Sequence, residues 1–288
     1  RIDRGIQMTI TLAVVAYNEE KYLPGLFECI KAQDYPHELI EIMLIDSDSE
    51  DGTLDLMNGF KEEADDFLSV VICDNPKRRQ SAGWNVAFER FSADAIVRVD
   101  AHAIIPADFI RRCVEALESE SVSGGVRTTK VYPVSPWGNV LLMAEESMFG
   151  ASVSVARRGR DDRGKKTYVK SLFHACYKRE VIEKVGGFRE DLGRTEDNEY
   201  HYRIRKAGYK IYMSPDIHSE QFIRPTFMGM LLQKSANGFW VGRTLGIVPG
   251  CISVYHLVPL VFVLCLCASV VLLCMGMPYA IRLLAALY

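Results

Sequence analysis

Residues 8–46 read MTITLAVVAYNEEKYLPGLFECIKAQDYPHELIEIMLID, and the change of hydrophobic period within them decides the fold. MTITLAVVAY is a continuous apolar run of strand length, as in a strand buried on both faces. EKYLPGLFECIKAQ switches to a helical period, and LIEIMLID returns to a strand. The alternation continues through GTLDLMNGFKEEA, FLSVVIC, RRQSAGWNVAFERF and AIVRVD to PADFIRRCVEALES, a helix opening with Pro at an early position. Strands alternating with helices predict an α/β domain with a mainly parallel sheet flanked by helices. Such sheets bind ligands beyond the carboxyl ends of their strands. Three polar clusters fall there: Tyr17-Asn18-Glu19, Asp46-Ser47-Asp48 and Asp100-Ala101-His102. Asp100 and His102, two apart on an extended segment, share a face. No GxGxxG follows the first strand and no P-loop pattern occurs, which disfavours dinucleotide and Walker-type sites.

The chain has 288 residues, 49% of them hydrophobic, and a formal net charge of −3. That balance gives no support to nucleic-acid binding. Eight scattered cysteines make neither a disulfide framework nor a zinc ribbon and fit a reducing compartment. No Asp, Glu, Lys or Arg occurs from Thr244 to Ala280, and ISVYHLVPLVFVLCLCASVVLLCMG (252–276) is long enough for one membrane span. GMP (276–278) would turn the chain, and YAIRLLAALY would begin a second span cut short at Tyr288. The chain also begins without Met, so the expectation is a piece of a longer membrane protein. Arg224, Lys234 and Arg243 precede the span and place that side in the cytoplasm, at the inner membrane of a cell.

Beyond residue 130 the pattern is more mixed. SPWGNVLLMAEESMFG reads as a helix, RRGRDDRGKKTY (157–168) as a charged loop, YVKSLFHACY as a strand and KIYMSP as a short strand. TEDNEYHYRIRKAGYK reads as a helix with Thr195 as N-cap. FMGMLLQKSANGFWVGRTL is amphipathic enough to lie in a membrane interface, with an ordinary domain helix as the alternative. The expected divisions are a catalytic domain over 1–222, an interface segment over 223–250 and a membrane region over 251–288.

VVAYNEE, LIDSDSEDGT, RVDAHA, VGGF and TEDNEYHYRIRKAGYKI, in this order and spacing, resemble glycosyltransferase family 2, inverting enzymes with the GT-A nucleotide-sugar fold. NPKRRQSAGWNVAFERFSADAIVRVDAHA looks especially like the branch that builds exopolysaccharides such as succinoglycan on lipid carriers. The resemblance spans roughly residues 8 to 240.

It implies that Ala16, Tyr17 and Glu19 border the base and ribose of a UDP-sugar and that Asp46 bonds the uracil. Many relatives carry a second Asp where Ser47 stands, so Asp46 and Asp48 both remain candidates for the base. Asn85, with Lys77, Arg78 and Arg79, would meet diphosphate or sugar, a solvated basic face being the alternative for the three charges. Asp100 and His102 take the family's DxD position. There they would bind the donor and share a divalent cation, Mn²⁺ or Mg²⁺, the imidazole favouring Mn²⁺. His218 would be a third metal ligand; His174 and His201 have no positional argument. Asp197 would be the base, with Glu196 beside it and Gly186, Gly187 and Phe188 meeting sugar and acceptor. The QxxRW motif of processive relatives is incomplete: Gln233 is present, Arg is missing and Trp240 is displaced. Transfer of one hexose, most simply glucose, from a UDP-sugar to a polyprenyl-linked saccharide is therefore expected, with membrane lipid and glycan-assembly proteins as partners. The alternatives are a polyisoprenyl-phosphate glycosyltransferase and a non-catalytic nucleotide-sugar-binding subunit.

Overall fold

The computed structural model describes residues 8–131, 134–146, 166–223, 226–277, 279 and 282. Most of the charged loop expected over 157–168, Arg224 and all but two residues of the expected second span lie outside them. The first half alternates as the periodicity requires: β1 (Ile10–Ala16), α1 (Leu23–Lys31), β2 (Ile40–Asp46), α2 (Thr53–Glu63), β3 (Ser69–Asp74), α3 (Gln80–Arg90), β4 (Ala95–Asp100), β5 (Ala103–Ile104) and α4 (Phe109–Ser119). Pro106 lies ahead of α4 rather than inside it, its carbonyl accepting from Phe109 N at 3.1 Å. There follow β6 (Val122–Lys130), α5 (Pro136–Glu146), β7 (Thr167–Tyr168), β8 (Ala175–Lys178), α6 (Arg179–Val185), α7 (Glu196–Lys206), β9 (Tyr212–Phe222), α8 (Phe227–Ile247) and α9 (Val258–Cys274).

The strands form one sheet in the order β3-β2-β1-β4-β8-β6-β9-β5, with β7 on β9. The pairs among β3, β2, β1 and β4 are parallel. β8 runs antiparallel to both β4 and β6, so the sheet is mixed rather than mainly parallel. The expected strand YVKSLFHACY is divided between β7 and β8, and the short strand expected at KIYMSP extends to eleven residues as β9. These short polar segments carry little period-2 signal, and their pairing is decided by neighbours distant in sequence.

Period 2 sorts the strand side chains into two cores. Ile10, Leu12 and Val14 of β1, Ile40, Ile42 and Leu44 of β2, and Ala95, Val97 and Val99 of β4 pack with Leu26, Met57 and Phe109 of α1, α2 and α4. Ala13, Met43, Ile45 and Ile96 face the other way, against Trp84 and Phe88 of α3 and Tyr200 and Ile204 of α7. Ala16 pairs with Asp46, and Val15 with Asp100, so all three polar clusters lie level at one edge. The loops there hold Asn18, Asp48 and Arg78 at positive φ. That backbone is unfavourable for residues with a Cβ and is retained where neighbours over-determine it.

Gly125 lets β6 and β9 close together. The register slips between Gly124 and Val126, and a Cβ on Gly125 would lie 1.8 Å from the Ile217 carbonyl oxygen. A Cβ on Gly59, within α2, would meet nothing within 4 Å. Gly125→Ala should therefore lower stability by about 1–3 kcal/mol, whereas Gly59→Ala should raise it by about 0.4–1 kcal/mol. Thermal melts of the two variants should move in opposite directions.

Candidate active site

Asp100 ends β4, and the following turn brings His102 onto the same side. Gln221 of β9 completes the group: its Nε2 donates to Asp100 Oδ2 at 3.1 Å and to His102 Nε2 at 2.7 Å. The buried Arg127, a donor only, bonds Gln221 Oε1 and so fixes which end of the amide faces the pair. Because His102 Nε2 accepts, its proton is on Nδ1, which donates to Glu19 Oε1 at 3.0 Å. A carboxylate behind the distal nitrogen of an imidazole is the usual way a metal-binding histidine is oriented. Two cation-ligand atoms thus converge on one donor group, and the residues fit a divalent cation bound by Asp100 and His102. Burial alone would raise the Asp100 carboxyl. The hydrogen bond with His174 and the charges of His174, His102 and Arg127 outweigh it and hold Asp100 below the usual carboxylate range.

His218 is not brought to this point. It is exposed on β9, whose alternation turns Ser219 and Gln221 toward the site and His218 away. The histidine beside Asp100 is instead His174, 96% buried, with Nε2 at 3.3 Å from Asp100 Oδ2 and Nδ1 at 2.8 Å from Ser219 Oγ. No motif marks His174 or Gln221, because the first arrives just ahead of β8 and the second on β9, both remote in sequence.

Asp197 and Glu196 open α7. Asp197 Oδ1 accepts from Arg98 Nη2 at 2.6 Å. Burial raises the Asp197 carboxyl, and the charge of Arg98 opposes that rise. Glu196 is pushed up to about 8 by burial and by the charge of Asp197, and its Oε2 has no hydrogen-bond partner among the described residues. Thr195 occupies the N-cap, but its hydroxyl does not cap the helix; it pairs with Thr244 Oγ1 at 2.6 Å and ties α7 to α8.

A cavity of about 1210 Å³ joins these groups. Asp100, His102, Asp197 and Trp84 line it, together with Gln233 and Lys234 of α8 and Leu260 and Val263 of α9. The segment Val254–Cys274 has a mean hydropathy of 3.0 and is long and apolar enough to cross a membrane, with 6% of it buried. α8 exposes Phe227, Met228, Leu231, Leu232 and Phe239.

The residues expected at the nucleotide divide. Ala16 and Asp46 lie side by side at the ends of β1 and β2. Asp46 is buried and its Oδ1 has no hydrogen-bond partner among the described residues, as suits an acceptor awaiting an N–H donor. Tyr17 is exposed beneath the Arg78 guanidinium, 5.7 Å from its ring centroid. Asp48 is exposed and paired to Arg78 at 2.6 Å. Glu19 serves His102 rather than facing only a base or ribose. Asn85 lies away from the place expected for diphosphate. Its Oδ1 accepts from Phe188 N at 2.6 Å and its Nδ2 donates to Phe188 O at 3.0 Å, so the amide clamps the Gly186–Phe188 loop. Phe188 is core, its ring 4.2 Å from that of Tyr200. Lys77 and Arg79 are tied to Glu190. The functional residue most plainly missed is Arg98, whose one signal is a cation inside an otherwise apolar strand.

Glu196→Gln gives a test of this electrostatics. An unfolded Glu releases its proton near 4.5, the folded one near about 8. Over that window the unfolded chain binds fewer protons, so this group costs stability as pH rises. Glu196→Gln should match wild type in melting temperature at pH 4 and exceed it progressively up to pH 8; a constant difference would contradict the assignment.

Residues 11–186 match the family model described as glycosyl transferase family 2. The succinoglycan biosynthesis protein ExoA of Rhizobium meliloti is 29% identical over 205 residues, 70% of this chain and 60% of the relative. The chain thus spans about three fifths of that relative's length. A dolichyl N-acetyl-alpha-D-glucosaminyl phosphate 3-beta-D-2,3-diacetamido-2,3-dideoxy-beta-D-glucuronosyltransferase of Methanococcus voltae is 25% identical over 91% of this chain and 81% of its own. Among solved structures, the mannosyltransferase PcManGT of Pyrobaculum calidifontis, in complex with GDP-Man and Mn²⁺, aligns with a TM-score of 0.63 at 20% identity, covering 97% of this chain and 73% of that one. S. aureus TarS 1–349 with UDP-GlcNAc aligns at 0.58 and 16% identity, covering 83% and 67%.

Proposed function

The chain belongs to glycosyl transferase family 2, and from that premise we propose that it is an inverting, divalent-cation-dependent hexosyltransferase that moves one sugar, most simply glucose, from a UDP-sugar to a polyprenyl-linked saccharide. The observation that carries this reading is a cavity lined by Asp100, His102 and Asp197 and also by residues of the apolar α9. A lipid-linked acceptor has both a hydroxyl to present to a carboxylate and an apolar tail to place along such a helix. The relatives add support: one is named for succinoglycan biosynthesis and another for transfer to a dolichyl-phosphate-linked sugar.

In this mechanism Asp46 accepts from the uracil N–H, and Asp100 and His102 hold the cation. Bound there, a divalent cation supplies charge neutralisation for the departing diphosphate, and the imidazole favours Mn²⁺ over Mg²⁺. Asp197 takes the proton of the acceptor hydroxyl as that oxygen attacks the anomeric carbon from the face opposite the diphosphate. Glu196, protonated near neutral pH, adds no second charge to the site. Retention by the membrane falls to α9 and to the apolar side of α8. Lys234 and Arg243, beside the apolar segment, support a catalytic region at the cytoplasmic face of the inner membrane, with lipid and other glycan-assembly proteins as its expected partners.

Turnover and binding must be measured separately. With UDP-glucose and an extract of polyprenyl-linked saccharides, Asp197→Asn should release UDP at least about 100-fold more slowly than wild type. Its affinity for UDP should stay within about threefold, because this carboxylate faces the acceptor. Near wild-type turnover would remove Asp197 from the role, and loss of UDP binding would move it to the donor site. UDP titrated calorimetrically should bind in Mn²⁺, more weakly in Mg²⁺ and least in EDTA, and Asp100→Asn should flatten that order.

A further inference from the structure

Arg98 stands where the alternation of β4 calls for an apolar side chain. Ala95, Val97 and Val99 fill one core, and Ile96 fills the other on the side toward which Arg98 points. Only 2% of Arg98 is exposed. Burying a guanidinium is costly unless it is paired, and a well-packed apolar residue usually serves stability as well or better. Stability alone is therefore a weak reason for an arginine here.

Its surroundings supply a stronger one. The guanidinium lies 4.8 Å from the Phe188 ring centroid and 5.0 Å from that of Trp84, so aromatic faces restrict its plane. Nη2 donates to Phe173 O at 3.1 Å and to Asp197 Oδ1 at 2.6 Å. Asp197 Oδ2 makes no hydrogen bond among the described residues, and Asp197 lines the cavity. The adjacent carboxyl of Glu196 receives no such partner on Oε2. One oxygen of one carboxylate is thus held by a caged cation, while the other remains for a ligand.

We propose that Arg98 is the positioning residue for the base: by holding Asp197 Oδ1 it aims Asp197 Oδ2 at the acceptor hydroxyl. This rests on the reading of Asp197 as the base. Arg98 is assigned its role through Asp197, the carboxylate it holds. Its removal costs turnover because the carboxylate swings out of line, and misplacements of about 1 Å are worth up to about 10² in rate.

A double-mutant cycle in the full chain tests this. Arg98→Gln, Asp197→Asn and the double variant are assayed with an extract of polyprenyl-linked saccharides. The donor is whichever of a panel of UDP-, GDP- and dTDP-sugars turns over fastest. Arg98→Gln should lower kcat by about 10- to 100-fold with donor KM within about threefold. Arg98→Lys, which keeps the charge, should recover part of the loss. In the Asp197→Asn background, Arg98→Gln should cost less than about twofold more, since the group it positions is gone. Arg98→Met, which fills the aromatic cage, replaces Gln in the cycle if Gln lowers the melting temperature by more than a few degrees. Wild-type kcat in Arg98→Gln, or an equal loss in both backgrounds, overturns the positioning role while leaving Asp197 as base. Full turnover in Asp197→Asn alone overturns the base assignment instead.

Discussion

Parallel pairing of β1 with β2 and β4 sets the level at which every polar cluster of this molecule sits. Once Ala16 is opposite Asp46 and Val15 opposite Asp100, the strand ends are in line and the loops beyond them must share one edge. The pairing is secured by the apolar runs themselves, because a slip of one residue would exchange the two cores. Strained loop residues at Asn18, Asp48 and Arg78 are confined to the same edge, where the sheet beneath can hold them. The second half of the sheet builds outward from this frame. β8 adds to β4 and carries in the segment with His174, and β6 then receives β9, which delivers Gln221.

The chemistry of the site depends on how few charges are left uncompensated in a largely buried place. His174, His102 and Arg127 hold Asp100 below the usual carboxylate range, whereas burial raises Asp197 and the charge of Arg98 opposes that rise. Glu196, with no cation of its own, is pushed toward its neutral form. Three carboxyls within one cavity thus have different protonation behaviour without any difference in residue chemistry, as expected when burial and neighbouring charges dominate. The Gln221 amide donates to Asp100 and His102 and is itself oriented by Arg127, so β9 shapes how those two side chains are presented.

α8 joins the catalytic end to the apolar end. Thr244 meets Thr195 ahead of the Glu196–Asp197 pair, and Trp240 lies so close to Gly193 that a Cβ there would be 2.5 Å from its ring. The same helix exposes Phe227, Leu232 and Phe239 on its outer side. Motion of α8 relative to the sheet would therefore be felt directly at the start of α7. This is a physical link between whatever covers the apolar surface and the geometry of Asp197.

The fold of the first half was legible in the sequence because its signals are local. Long apolar runs, a change of period from 2 to 3.6, and polar residues at strand ends need no distant partner to be read, and they singled out Asp46, Asp100 and His102, whereas Asp197 was implied by the family resemblance. The apolar Val254–Cys274 stretch was legible for the same reason. The mixed second half of the sheet was not, since β8 and β9 are polar and irregular, and partners far away in sequence decide their direction. Individual roles also needed the tertiary structure. Asn85 and His218 carry suitable chemistry, but the first is spent on the Phe188 loop and the second faces out from β9. His174 and Gln221 belong to no motif, and Arg98, although it opens RVDAHA, had no role assigned there; strand pairing and alternation bring all three to the site. Residue type and local period fix what a side chain can do; the long-range contacts of a closed sheet decide what it meets.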